Sequence, residues 1–139
     1  MQNAAIRALG LDWRYLAYNV HPDRLAEAIR GAQAMGFVGL NLTVPHKQLA
    51  VGLVDTLDAS AVEWGAVNTI RFEGREPGGE WRSLACPEAD SFAETRSVGF
   101  NTDAEAIVRA TREDLDVVLE EASVLVVGML IVNNASSLE

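Results

Sequence analysis

The sequence is poor in several residue types, and each shortage excludes something. Cys86 is the only cysteine among 139 residues, so no disulfide can close within the chain and no cysteine cluster can hold a metal. A reducing cytoplasm is the expected location. The two histidines, His21 and His46, are not at metal-ligand spacing, and no metal site is expected. The longest apolar run, Val124 to Val132 with Gly128 inside it, has nine residues, against roughly 20 for a membrane-crossing helix. No charged opening followed by an apolar stretch marks a secretory signal. Positive charge is also scarce: 11 basic against 20 acidic side chains give a net charge of −9, which argues against generic binding to nucleic acid or an anionic membrane. Lysine is scarcest of all, for ten of the eleven basic residues are arginine and only Lys47 is a lysine.

What is present describes a folded domain. At roughly 100 to 200 residues per domain the length allows one hydrophobic core, and 49% apolar with 22% charged residues is ordinary for a globular chain. The charge is uneven. Residues 1 to 70 carry five basic and six acidic groups, whereas residues 71 to 139 carry six and fourteen, so an anionic small molecule meets less repulsion on surfaces built from the first half.

Periodicity gives a coarse order of elements. Asn3 to Leu9 reads as a short helix closed by Gly10. Trp13 to Val20, rich in aromatic and β-branched residues, reads as a strand. Pro22 opens a helix over Asp23 to Met35, with Leu25, Ala28, Ile29, Ala32 and Met35 on one face. Phe37 to Thr43 is a second strand, stopped by Pro45, and a helix runs from about His46 to Val54. Ser60 and Glu63 have capping-box spacing, but Gly65 leaves little room, and a short turn is expected there. Ala66 to Phe72 is a third strand, and Glu73 to Thr95 a polar excursion with one hairpin. Ser97 to Asn101 is another strand, Thr102 opens a helix to about Arg112 with a second piece to Glu121, and Ala122 to Val132 is a last strand. Strands alternating with helices predict an α/β fold with a mainly parallel open sheet flanked by helices.

Three polar clusters fall at strand ends: Asn41, Thr43 and Lys47; Asn68 and Thr69; and Asn101, Thr102 and Asp103. Open parallel sheets bind ligands at the carboxyl ends of their strands. Asn41 and Thr43 share a face by the two-residue period. Together the clusters describe a pocket for a small polyhydroxylated molecule, with amides and hydroxyls for directional hydrogen bonds and a lysine and an aspartate for proton transfer. Plainer readings stand beside this one. Thr43-Val44-Pro45 also suits a simple strand-to-helix turn, Thr102 to Glu105 also fits a capping box with Asp103 complementing the helix dipole, and His21 and His46 read as structural or exposed. Asn68 inside an apolar strand is harder to explain structurally, because a buried amide without partners costs roughly 1 to 3 kcal/mol.

The strings NLTVPHK (Asn41 to Lys47), GAVNTI (Gly65 to Ile70) and GFNTDA (Gly99 to Ala104) resemble, in the same order, three signature segments of the shikimate dehydrogenase family, and the order of elements is similar to that family's N-terminal substrate-binding domain. The resemblance implies an oxidoreductase of aromatic amino acid biosynthesis that reduces 3-dehydroshikimate to shikimate with NADPH. It puts Lys47 and Asp103 at the family's catalytic pair, and Asn41, Thr43, Lys47, Asn68 and Asp103 at positions that bind the substrate. The chemistry is consistent with these roles. As a ketone is reduced, negative charge grows on its oxygen, and an ammonium can stabilise that charge and give up a proton, whereas a guanidinium is too weak an acid. An adjacent carboxylate holds the ammonium in place and favours its charged form.

The sequence also departs from the family. The resemblance implies a first strand and a Ser-x-Ser loop for the substrate carboxylate ahead of a segment like Met1 to Ala4, so weak or absent substrate binding is expected. It implies residues 1–121 as the substrate-binding domain without its first strand, and residues 122–139 as a remnant of the nucleotide domain's first strand plus a polar tail. Ser123 to Gly128 is followed by Met129, Leu130 and Ile131 rather than by a Gly-rich phosphate turn. NADP is therefore the family's cofactor, and none is expected to bind this chain, which is expected to be inactive alone. Alternatives are a non-catalytic module binding shikimate or quinate, and a quinate dehydrogenase fragment. The apolar Val124 to Val132 predicts self-association, as a homodimer through the terminal strand or by strand replacement within one chain.

Overall fold

The structure, a computed structural model, describes residues 1–86 and 92–115. The expected boundary at residue 122, the Val124 to Val132 strand and any homodimer formed through it lie outside the described residues. The chain divides into two units, Met1–Thr102 and Asp103–Glu139; each is described by itself.

The first unit opens with α1 (Gln2–Ala8), closed by Gly10 at φ +69° as its sequence predicts. The next segment differs from expectation: Trp13 to Val20 joins no ladder. Its aromatic and β-branched residues favour a strand, but a ladder needs a neighbouring backbone. The side-chain amide of Asn3 instead serves Tyr15, accepting from its N–H at 2.7 Å and donating to its carbonyl at 2.8 Å. Leu16 and Tyr18 are left largely exposed.

A 3-10 turn, Pro22–Arg24, leads into α2 (Leu25–Ala34). His21 starts the turn, its Nδ1 accepting from the Asp23 N–H at 3.3 Å. Leu25, Ile29 and Ala32 are buried on one face of α2, the i, i+4, i+7 stripe that helical periodicity requires. Met35 falls just past the last turn and is exposed, a correction to its expected place on that face.

The sheet comprises β1 (Gly39–Asn41), β2 (Thr56–Leu57), β3 (Thr69–Arg75), β4 (Arg82–Ser83) and β5 (Glu94–Phe100). Its order is β1-β3-β5-β2, with β4 also on β3. The open sheet flanked by helices is as expected. Strand direction corrects the expectation of a mainly parallel sheet among the described residues: β1, β2, β4 and β5 run one way and the central β3 opposes them, so β2–β5 is parallel while β1–β3, β3–β4 and β3–β5 are antiparallel. After β1 the chain crosses to the far edge to lay down β2 beside β5, and it therefore enters β3 from the opposite end. Alternation of strands and helices in a sequence does not encode that reversal.

Between β1 and β3 come α3 (His46–Leu49), a 3-10 turn (Ala50–Gly52) and α4 (Ala59–Trp64). A helix thus forms where only a turn was expected. Asp58, not Ser60, caps α4 by accepting from the Ser60 N–H at 2.9 Å, and Gly65 ends the helix in the left-handed region at φ +58°, as helix-terminating glycines do.

β3 and β5 pair over seven residues, from Thr69↔Phe100 to Arg75↔Glu94, so β3 extends three residues and β5 two residues into what reads as polar excursion. Ile70 and Phe72 point into a core shared with Leu25, Ile29, Ala50, Ala61, Val67 and Leu84. On the opposite face Glu73 is only 4% exposed, bracketed by Arg71 and Arg96. Polar composition hid these strand ends because the buried Glu73 is paired with two arginines that stay partly exposed.

The second unit is described through α5 (Asp103–Leu115), which carries Asp103 and Glu105 in its first turn and Arg112 near its end. This distribution of charge complements the helix dipole. Among the described residues no helix is long and apolar enough to cross a membrane.

Candidate functional site

Asn68 lies just ahead of β3 and joins the three motif segments through its backbone and side chain. Its carbonyl accepts from the Leu42 N–H at 2.7 Å, and its own N–H donates to the Phe100 carbonyl at 3.0 Å. Its side-chain Oδ1 accepts from the Thr102 N–H at 3.1 Å, and its Nδ2 donates to the Thr102 hydroxyl at 3.0 Å. The amide is 7% exposed, and these bonds offset the desolvation it would otherwise suffer. Asn68 thus has a structural duty that its sequence context leaves open, and one Thr102 residue takes up both ends of the amide.

One residue away, Val67 donates its N–H to the Lys47 carbonyl at 2.8 Å. The backbone of the NLTVPHK segment is therefore fastened next to GAVNTI at both ends, by Leu42 on Asn68 and by Lys47 on Val67. Between those fastenings the Val44–Pro45 peptide is cis, and the His46 N–H closes a turn on the Thr43 carbonyl at 2.8 Å. The Thr43 side chain is exposed on this turn, and Lys47 is half-buried on α3.

Asn41 ends β1 directly opposite Thr69, and its Nδ2 donates to the Thr69 hydroxyl at 3.2 Å. Thr69 in turn faces Phe100 on β5. A line of polar groups therefore runs across neighbouring strand ends: Asn41, Thr69, and the Asn68–Thr102 pair. Close by, Asn101 donates its N–H to the Ser60 hydroxyl at 3.1 Å and its Nδ2 to the Ala66 carbonyl at 3.2 Å. The Ser60 hydroxyl donates to Asp58 at 2.7 Å. These hydrogen bonds from Ser60 hold the Asp58 carboxyl below its ordinary pKa. Ser60 thus supports the NTD segment from below, a role its capping-box spacing does not reveal.

The first unit therefore gathers Asn41, Thr43, Lys47 and Asn68 about the start of β3. Asp103, the remaining candidate, is the first residue of α5 and belongs to the second unit. A concavity lined by Glu105, Val108, Arg109, Arg112 and Glu113 is formed by α5 side chains alone, with no motif residue among them.

The profile of the family described as the shikimate dehydrogenase substrate binding domain matches residues 1–70. The chain belongs to this family. It is 43% identical over 114 residues to "Shikimate dehydrogenase (NADP(+))" of Methanopyrus kandleri, an alignment that covers 82% of this chain and 32% of the relative. Among solved structures, shikimate dehydrogenase from Aquifex aeolicus superposes with a TM-score of 0.61 at 33% identity, covering 80% of this chain and 34% of that one. Shikimate 5-dehydrogenase from Listeria monocytogenes, crystallised with shikimate and NAD, superposes at 0.62 with 29% identity, covering 81% and 32%. The chain thus spans about a third of the length of the relatives it matches.

The family's nucleotide raises the question of fit. A dinucleotide pyrophosphate rests on a Gly-rich turn that opens a helix. The positive-φ glycines among the described residues are Gly10, Gly36, Gly65 and Gly78. The first three lie just past the ends of α1, α2 and α4, and Gly78 sits in the turn before β4. None of these four glycines opens a helix as that turn does.

Proposed function

We propose that this chain is the substrate-binding part of an NADP-dependent shikimate dehydrogenase, in which 3-dehydroshikimate is reduced to shikimate. In this reading Asn41, Thr43 and Asn68 take the ring hydroxyls, with Asp103 completing the set. The Lys47 ammonium sits at the ketone oxygen, stabilises the charge that grows there during reduction and transfers a proton to it. Asp103 orients the ammonium in this reading. NADPH, when bound, supplies the hydride for this reduction.

The observation that carries the reading is the convergence of NLTVPHK, GAVNTI and NTD on Asn68. Converged amides and hydroxyls suit a polyhydroxylated ligand, and the chain's single lysine stands where a transferable proton is needed. Residues 1–121 form the substrate-binding domain in this proposal, and the location is the cytoplasm. The polypeptide alone is inactive, because no Gly-rich turn follows Gly128.

An NMR titration with shikimate tests the binding half of the proposal. Shifts confined to the amides of Asn41 to Lys47, Asn68 and Thr69 are expected, at an affinity in or near the millimolar range, about −4 kcal/mol. Absence of any such shift at saturating ligand would refute shikimate binding. Incubation with shikimate and NADP tests the other half, where formation of NADPH by the purified chain would refute inactivity. Tight binding without turnover would favour a holding module instead.

A further inference from the structure

His46 stands between Pro45 and Lys47, and its ring reaches across to the segment before Pro22. Its Nε2 lies 2.9 Å from the Val20 carbonyl oxygen. A carbonyl can only accept, so Nε2 carries the hydrogen. Its Nδ1 is buried with no hydrogen-bond partner, so a proton there would be a buried donor with nothing to receive it. The surroundings therefore select the tautomer with hydrogen on Nε2.

That bond completes the support of the loop. Leu42 and Lys47 are fastened to Asn68 and Val67 through their backbones, both on the β3 side. Backbone bonds at 42 and 47 leave the turn of Thr43 to His46 free to pivot between them. The His46 side chain supplies the third point, on a different part of the chain, and a body held at three separated points cannot rotate about the line joining two of them.

We infer that His46 is a positioning residue: its Nε2–H clamp on Val20 fixes the loop from which Thr43 and Lys47 act. This rests on the proposed role of Lys47. The ring itself need not touch the substrate.

Three variants separate the possibilities. His46→Gln keeps a donor at about the reach of Nε2, His46→Asn shortens it, and His46→Leu keeps bulk without a donor. Long-range proton–nitrogen NMR correlations of the imidazole should show the Nε2–H tautomer in the free chain. Amide exchange at Val67, whose N–H serves the Lys47 carbonyl, should accelerate about tenfold in the Leu and Asn variants, the scale of one lost hydrogen bond. The Phe72 amide, in the core of β3, should stay unchanged, and Gln should restore the wild-type rate at Val67. Shikimate affinity should fall and recover in the same pattern.

A predominant Nδ1–H tautomer would overturn the inference, as would Val67 exchange that is the same in all four proteins. Accelerated exchange at Phe72 along with Val67 would assign His46 to general stability and overturn it too. If the wild-type chain shows no shikimate binding, the functional proposal fails, while tautomer and exchange still decide the clamp.

Discussion

Asn68 and Thr102 lock the entry of β3 to the exit of β5, the amide of one meeting both the N–H and the hydroxyl of the other. Removing that amide strands two polar groups of Thr102. Asn68→Ala should lower stability by about 1 to 3 kcal/mol, read as a shift of the urea midpoint at unchanged slope. An unchanged midpoint would mean that solvent replaces the amide without cost.

Lys47 separates charge from proton transfer. If its ammonium contacts the ligand, Lys47→Ala should weaken shikimate binding by about tenfold or more, as expected for loss of one charge-assisted hydrogen bond. Lys47→Arg should bind better than Ala because it keeps the charge. Equal affinity in the Ala variant and the wild type would remove Lys47 from the site.

Gly39 is demanded by close backbone approach. A Cβ there would collide with the Ile70 carbonyl oxygen, whereas a Cβ at Gly31, in the middle of α2, would meet nothing within 4 Å. Gly39→Ala should therefore cost about 1 to 3 kcal/mol. Gly31→Ala should stabilise by roughly 0.5 to 1 kcal/mol through helix propensity. Thermal melts of the two variants should move in opposite directions.

Glu73 makes stability depend on pH. Burial raises its pKa, but hydrogen bonds from Arg96 and Arg71 outweigh burial, and the net effect is a lowered value. A lowered folded-state pKa gives stability that is present above the unfolded value near 4.3 and lost as pH falls through the folded one. Glu73→Gln should destabilise the chain at neutral pH by about 1 to 3 kcal/mol, and the difference from wild type should shrink below about pH 4. Parallel stability curves from pH 7 to 3 would contradict this account.

Much of the fold was legible where one local cause dominates. The stripe of Leu25, Ile29 and Ala32 and the stop at Gly36 identify α2. The polar residues at strand ends mark the candidate site segments, because Asn41, Asn68 and Asn101 interrupt otherwise apolar runs. Legibility failed where a distant partner decides. Trp13 to Val20 has the composition of a strand but pairs with no backbone among the described residues, and β2 is too short to show a period. The far ends of β3 and β5 were hidden because Arg71, Glu73 and Arg96 look solvent-facing in sequence, and Glu73 is buried between the two arginines only when the strands pair. His46 reads as structural or exposed, and its contact with the Val20 carbonyl makes it structural, but that partner is 26 residues away and the sequence does not name it.

That charge cluster also has an optical consequence. Trp81 is stacked against two guanidiniums, Arg75 at 4.4 Å and Arg96 at 4.3 Å from its ring centroid, and Arg96 is bound to Glu73 at 2.8 Å. Trp13 and Trp64 lie more than a third exposed and report mainly on solvent. Emission from Trp81 is therefore coupled to the ionisation of a carboxylate it never touches. Isolated by replacing the other two tryptophans, it would serve as a built-in indicator of whether β3 and β5 are still joined.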